Sequence, residues 1–316
     1  MKHKFVISAF LTLLPLTWVA SCTILDEHAL ALSELTTGFI TSDEISEASG
    51  IAVSRANPGI IWINNDSGNS ATLYAVNAQG KHIATLTISG VVNYDWEDLA
   101  TFHYQGDNYL LIADTGDNFL KRKNYRLHVI KEPKLNLSEN TIETLTTKPE
   151  WSTTFTYGDQ SKDVESVAVD MVNKQVLLLT KRDFPHQLYS LPLKPEKTKP
   201  SIVANKLGEI SDFPAPLKSR LGIIDIMNYS NMPTAMDIDS TGKMAVILTY
   251  SSAYLYLKKP NESWLQAFNF EPKRIDFPTL TQGEAIGFGP QGNYLYITSE
   301  KIPAPMLKID ISQYHE

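Results

Sequence analysis

One unit recurs five times along this chain, and a unit of that kind cannot bury its own apolar face, so copies must stack on one another. Each copy opens on a small or acidic residue and runs through a short alternating apolar stretch. It then turns on Gly, Asn, Asp or Pro and continues into a nearly unbroken aliphatic stretch. The copies are Ser49-Gly-Ile-Ala-Val-Ser with Ile60-Ile-Trp-Ile, Glu97-Asp-Leu-Ala-Thr-Phe with Tyr109-Leu-Leu-Ile, and Glu165-Ser-Val-Ala-Val-Asp with Val176-Leu-Leu-Leu. Thr234-Ala-Met-Asp-Ile-Asp with Met244-Ala-Val-Ile-Leu and Glu284-Ala-Ile-Gly-Phe-Gly with Tyr294-Leu-Tyr-Ile complete the set. The residues between the paired stretches accept the backbone angles of a hairpin, so each copy predicts two antiparallel strands.

A third stretch rich in aromatic and branched residues follows every hairpin, as in Thr72-Leu-Tyr-Ala-Val and Ala253-Tyr-Leu-Tyr-Leu. Weaker fourth stretches follow, at 83–88 and 152–157. Four antiparallel strands per repeat is the blade of a β-propeller, and the expected fold is all-β with five such blades. The copies open at 49, 97, 165, 234 and 284, giving spacings of 48, 68, 69 and 50 residues. The shorter spacings match a blade of about 40–50 residues. The longer ones require insertions, expected at 134–150, 194–200 and 211–232, where Lys, Pro, Ser and Thr gather. The last copy has no fourth strand of its own. Residues 32–41 can supply it, joining the two chain ends and closing the ring so that no sheet edge is left open. Residues 33–316 are thus expected to form a single domain. A sixth, degenerate blade around 223–229 is the alternative; a two-sheet sandwich would not repeat.

In a propeller the first strand of each blade lines the central channel and the second runs back beside it. The start of the first and the end of the second therefore meet at one channel mouth. The starts carry Glu47 with Ser49, Asp95 with Glu97 and Asp98, then Glu165, Thr234 and Glu284. The ends carry Asn64, Asn65 and Asp66, then Asp114, Asp117 and Asn118, then Lys181 and Arg182, Tyr250 and Glu300. Carboxylates crowded in this way raise one another's pKa or share a cation. Oxygen donors without paired His or Cys suit a hard ion, Ca²⁺ above all outside the cytoplasm. The candidate metal ligands are Glu47, Asp66, Glu97, Asp114, Glu165, Glu284 and Glu300. The alternative is structural: the same glutamates hydrogen-bond to neighbouring backbone or pair with Lys181 and Arg182. Asp114-Thr-Gly-Asp-Asn and Asn64-Asn-Asp-Ser-Gly are at once fragments of calcium loops and good Asx turns. Nucleophile-elbow, zinc-protease and phosphate-loop motifs are missing from the sequence.

The amino terminus carries Lys2, His3 and Lys4, an uncharged run from Phe5 to Ala20, and then Val19-Ala20-Ser21-Cys22. A basic start, a short apolar run and small residues before the break form an export signal, too short to span a bilayer. Its end resembles the lipobox of bacterial lipoproteins, where the cysteine is acylated and becomes the new terminus. Cys22 is the only cysteine in the chain, so no disulfide is available after export. Residues 1–22 are read as a lipoprotein signal with Cys22 as the lipid acceptor, and 23–32 as a tether. Thr23, rather than Asp, follows the cysteine, which points to the outer membrane of a Gram-negative bacterium. Loss of Lys2 and Lys4 moves the formal charge from −7 to −9. An acidic domain without a basic stripe does not bind nucleic acid, whose affinity comes from Lys and Arg on phosphates. A monomer anchored to the membrane by its lipid is expected.

The stretches Glu47-Ala-Ser-Gly-Ile-Ala, Asn65-Asp-Ser-Gly-Asn, Asp95-Trp-Glu-Asp-Leu-Ala, Asp114-Thr-Gly-Asp-Asn and Gln282-Gly-Glu-Ala-Ile resemble exported bacterial propeller proteins. These are the SdiA-regulated and esterase-like phytase families. The resemblance implies a propeller with an acidic channel site that takes calcium, and implies no phytase activity, because phytase propellers carry more carboxylates and basic phosphate contacts than this sequence offers. Two functions follow. One is a lipoprotein that binds a small anionic ligand or an envelope protein at the mouth. The other is a calcium-assisted hydrolase of a phosphoester, ester or lactone. In the latter, Glu97 or Glu165 would be general base and Lys181 or Arg182 would steady developing negative charge.

Overall fold

Positive-φ residues make the turns that start the fold. Gly59, Gln105 with Gly106, Lys174, Gly242 and Gly292 lie between the two leading strands of the five repeats and set five hairpins. The computed structural model describes residues 33–137, 141–196, 201–214, 229–278 and 280–315. The export signal, Cys22 and the tether lie outside them, as does the stretch 223–228 of the sixth-blade alternative.

Strand β1 (Thr36–Ile40) precedes the repeats. Blade 1 is β2 (Ala48–Val53), β3 (Ile60–Asn65), β4 (Thr72–Asn77) and β5 (His82–Ile88). Blade 2 is β6 (Trp96–Tyr104), β7 (Asp107–Asp114), β8 (Tyr125–Lys131) and, after an insertion holding β9 (Glu143–Thr147), β10 (Trp151–Thr156). Blade 3 is β11 (Val164–Asp170), β12 (Gln175–Thr180), β13 (Gln187–Pro192) and, after β14 (Ile202–Val203), β15 (Asn205–Glu209). Blade 4 is β16 (Pro233–Ile238), β17 (Met244–Thr249), β18 (Ala253–Leu257) and β19 (Lys273–Ile275). Blade 5 is β20 (Gly283–Phe288), β21 (Tyr294–Ser299) and β22 (Ala304–Asp310), finished by β1, which pairs antiparallel with β22. The inner strands contact in the cyclic order β2, β6, β11, β16, β20 and back to β2, so the ring is closed with five blades.

The aliphatic second strands follow from this geometry. Along β12, Val176 and Leu178 enter the apolar cluster between blades 2 and 3, while Leu177 and Leu179 enter the cluster between blades 3 and 4. A strand with a packed face on each side has no solvent position to make polar. Trp62 and Trp96 fill the junction of blades 1 and 2, both fully buried.

The insertion expected at 134–150 contains a strand, and another strand lies just past the one expected at 194–200. β9 leaves blade 2 and adds as a parallel strand to β5 of blade 1, and β14 leaves blade 3 and adds in parallel to β10 of blade 2. Each covers the outer edge of the preceding blade before the chain returns to finish its own. Among the described residues no helix is long and apolar enough to cross a membrane.

Candidate channel-mouth site

All five inner strands bulge at the same step. Pairing with the second strand shifts register between Ala48 and Gly50, Trp96 and Asp98, Val164 and Ser166, Pro233 and Ala235, and Gly283 and Ala285. The residues left over are Ser49, Glu97, Glu165, Thr234 and Glu284, the residues that open the five sequence repeats. A bulge re-aims the side chain of its extra residue. Here it produces one ring of five buried polar groups, each no more than 6% exposed, around the channel.

A second layer lies just above. The backbone N–H groups of Asp66, Thr115, Lys181 and Glu300 donate to the carbonyls of Glu47, Asp95, Asp163 and Gln282 at 2.9–3.1 Å. Equivalent blades thus contribute equivalent positions, and acidic residues dominate them. Blade 2 supplies Thr115 at this level, not Asp114. The Asp114 carboxylate is fully buried, accepts from Arg122 Nη2 at 2.7 Å and from the Asp95 N–H at 3.3 Å, and stands apart from the glutamates.

Glu97 is the hub. Its carboxylate accepts from Ser49 Oγ at 3.2 Å, and oxygens of Asp66, Asp95 and Glu97 lie within 4.8 Å of one another. Oxygens of Glu97, Asp163 and Glu165 form a second such group. Three or more carboxylates at that separation could hold a metal ion, and an all-oxygen set fits a hard cation. Opposite them stands one buried ammonium. Lys181 Nζ donates to Glu165 Oε2 and, at 2.9 Å, to Tyr250 Oη, and Tyr250 Oη donates to Glu284 Oε1 at 2.8 Å. Arg182 is turned outward, 36% exposed at its side chain, and donates to Asp163 at 2.5 Å and to Asn118. Glu47 sits at the exposed rim, accepting from Asn69 Nδ2 at 2.6 Å.

Burial and the crowding of like charges shift the protonation of these groups. Burial, then Glu165, Asp66 and Asp95, push the Glu97 carboxyl well above the usual range, with Lys181 opposing. Burial raises Glu165 to about 8 against the pull of Lys181, with Asp163 and Glu284 adding to the rise. Glu284 reaches about 8 through burial and Glu300. Asp95, through burial and Asp66, reaches about 7. For Lys181 burial works the other way, but Glu165, Glu284 and Glu97 outweigh it and keep the ammonium charged. At neutral pH this mouth therefore holds protons on some of its carboxylates, and a cation would compete for the same oxygens.

Asp98, expected at the mouth, faces elsewhere. One oxygen accepts from the Leu99 N–H at 2.8 Å, and the other accepts from Val167 at 2.8 Å and Met236 at 3.1 Å. It thus crosses from blade 2 to blades 3 and 4 and floors the well. Asp237 repeats the device toward blade 5, accepting from the Phe288 N–H at 2.8 Å. Asp163 had escaped notice in the sequence, although its signal was there. It stands two residues before Glu165, as Asp95 stands before Glu97 and Glu47 before Ser49. A separate cleft of about 610 Å³, lined by Val172, Leu207, Lys258 and Trp264 among others, opens between blades 3 and 4 at the far end of the molecule and contains none of these groups.

No protein-family model matches the chain, and no curated protein matches its sequence. Among solved structures it is similar to the major allergen Mala s 1 of Malassezia sympodialis, with a TM-score of 0.52 and 12% identity over 87% of this chain and 96% of that one. A gluconolactonase from Xanthomonas campestris gives a TM-score of 0.44 at 10% identity over 83% and 71%. The PQQ-bound aldose sugar dehydrogenase of Streptomyces coelicolor gives 0.44 at 11% over 86% and 96%. At such identities the likeness is one of fold alone, and the fold is a β-propeller.

Proposed function

We propose that this protein is an outer-membrane lipoprotein, acylated at Cys22, whose propeller binds a ligand or an envelope partner at the acidic channel mouth with a Ca²⁺ ion on the carboxylates. The observation that carries this is the ring of bulges. Five strands place their extra residue at one level, three of the five are buried glutamates, and two of these, Glu97 and Glu165, stand beside Asp66, Asp95 and Asp163. A structural role alone would call for acids matched by donors, as at Asp98. Around Glu97 the carboxylates outnumber the cations, and like charges in a half-dry site favour an added cation.

Calcium titration of the chain from residue 23 by calorimetry tests this, beside Glu97→Gln and Asp95→Asn. A saturable isotherm weakened tenfold or more in both variants supports the site; no heat in the native protein refutes it.

The second reading, a hydrolase, is favoured by the near-neutral Asp95 and the raised Glu165, since a carboxyl poised near pH 7 can exchange protons with a substrate. Glu97 or Glu165 would then be the base. Against it, Lys181 already spends two of its three donors on Glu165 and Tyr250 and has little left for a developing anion. Turnover of phosphoester, ester or lactone substrates, lost in Glu97→Gln and Glu165→Gln, would reverse the ranking.

A further inference from the structure

The end of the propeller opposite the mouth, where the leading hairpin of each blade turns, carries charge of the other sign. Lys174 lies in the turn of blade 3, Lys243 in that of blade 4, and Lys258, Lys259 and Lys273 between the end of β18 and the start of β19. Among the described residues none of these five forms an ion pair with a carboxylate. The acids of the same two turns are buried and taken up by the backbone. Asp170 accepts the N–H groups of Val172 and Asn173 at 3.1 and 3.2 Å, and Asp239 those of Lys243 and Met244 at 2.9 and 2.7 Å. Glu262 and Glu271 are left at the surface beside the lysines, with Glu34 and Asp310 toward blade 5.

Apolar side chains stand among these ammonium groups. Val172 is 63% exposed, Phe270 56% and Leu257 42%. The patch is continuous. A Cβ on Gly242 would fall 2.7 Å from Val172 Cγ2, Leu257 pairs with Met244 next to Lys243, and Lys258 N donates to the Lys243 carbonyl at 2.8 Å. Lys259 Nζ lies 4.9 Å from the centre of the Phe270 ring.

The chain also enters the propeller from this end. Thr36 stands opposite Leu307 and Ile40 opposite Ala304, so β1 starts toward the end where β22 finishes. Leu35, just before it, packs on the apolar cluster shared by blades 4 and 5. Ten residues separate Cys22 from Ser33, and ten extended residues span at most about 33–36 Å. A propeller acylated at Cys22 would thus hold this end next to lipid, where a weak contact is made at high effective concentration. The charges agree with that placement. In a chain of net charge −7, an anionic bilayer attracts the lysine end and repels the carboxylates of the mouth, while exposed rings and aliphatic groups settle among headgroups.

We propose that this end, led by Lys243, Lys259, Val172 and Phe270, rests on the anionic membrane surface and holds the channel mouth away from the bilayer, open to the aqueous side. The confinement by the tether rests on acylation at Cys22; the contact made by the lysines and apolar side chains does not. Cys22 is the single thiol, so the chain from residue 22 can be coupled through it to a maleimide lipid in phosphatidylcholine vesicles, in chelator. Vesicles with and without about 30% phosphatidylglycerol are compared. The coupling replaces acylation, so a native Cys22 found unmodified would sink the anchor and leave this result standing. Hydrogen exchange at 171–174 and 257–271 is expected to slow about threefold or more on the anionic vesicles relative to the neutral ones, with no slowing in the mouth loops 66–71 and 181–186. The slowing should vanish in high salt, in Lys243→Glu/Lys259→Glu and in Val172→Ser/Phe270→Ser. All four side chains are exposed, and an unchanged melting temperature verifies that both variants fold. Slowing that is equal on neutral vesicles, that survives both double variants, or that falls on the mouth loops overturns the proposal. No slowing anywhere overturns it too, in favour of a protein partner for this end.

Discussion

Among the described residues Lys181 is the buried ammonium that pairs with the mouth carboxylates, and its surroundings set what the site tolerates. It donates to Glu165 directly and is linked to Glu284 through Tyr250. Breaking a buried pair by removing one partner costs about 3–5 kcal/mol, because the other charge stays behind uncompensated. Above about pH 8, where the Glu165 and Glu284 carboxyls are ionised, Lys181→Met is therefore expected to lower stability by about that amount in chelator, and to lose less when Ca²⁺ is added, read as denaturation midpoints under both conditions. The raised carboxyls give a second expectation with a definite sign. Glu165 and Glu284 hold protons up to about pH 8 in the folded protein, and Asp95 up to about pH 7, whereas unfolded carboxyls release theirs near pH 4. Between those limits the folded state binds more protons, so stability falls as pH rises from about 4 to about 8 and levels off beyond. About 2 kcal/mol of this coupling would move Tm by roughly 4–8 °C. Calcium, by displacing those protons, should flatten the profile. A metal-free Tm that rises across this window would mean the carboxylates are ionised and satisfied within the fold.

The element that makes the site is the bulged inner strand, and its register is held from the channel by Asp98. Asp98→Ala would leave the buried N–H groups of Val167 and Met236 without acceptors. Each unsatisfied group costs about 1–3 kcal/mol, so a loss of about 2–6 kcal/mol is expected in denaturant unfolding; a loss under about 1 kcal/mol would show that water replaces the carboxylate. The strands themselves were legible in the sequence because two periodicities coincide there, alternation within each strand and recurrence between blades. The positions opening each repeat were legible for the same reason, yet the bulge was not. A residue that slips out of register leaves no mark in polarity, and only the repeated juxtaposition of Ser49, Glu97, Glu165, Thr234 and Glu284 reveals it. Asp98 and Asp114 carry the same charge as their neighbours and were grouped with them; backbone N–H groups and Arg122 claim them instead, contacts that arise only when blades pack. β9 and β14 hid inside polar insertions because an added edge strand is half exposed and carries little apolar signal.

Closure of the ring is a property of the whole molecule, and it rests on a very close approach. β1 finishes blade 5, but it also presses on the hairpin turn of blade 1, where a Cβ on Gly38 would fall 2.1 Å from the Gln79 carbonyl oxygen and 2.5 Å from its carbon. Those are backbone atoms in a tight turn, with no side chain to swing away. Thr37 Oγ1 donates to the carbonyls of Ala78 and Met306, joining the same two blades. Gly38→Val should therefore drive β1 off both partners, at more than the about 1–3 kcal/mol of ordinary overpacking. The freed β22 then becomes an open edge, and open edges pair with other chains. The expected result is a protein cut readily by protease within 33–41 that self-associates on gel filtration. Gly289→Ala, whose added Cβ meets nothing closer than 3.5 Å, should remain monomeric and resistant. If Gly38→Val behaves like that control, five blades hold together through their inner strands and interblade clusters alone, and β1 only covers an edge that the ring can leave bare.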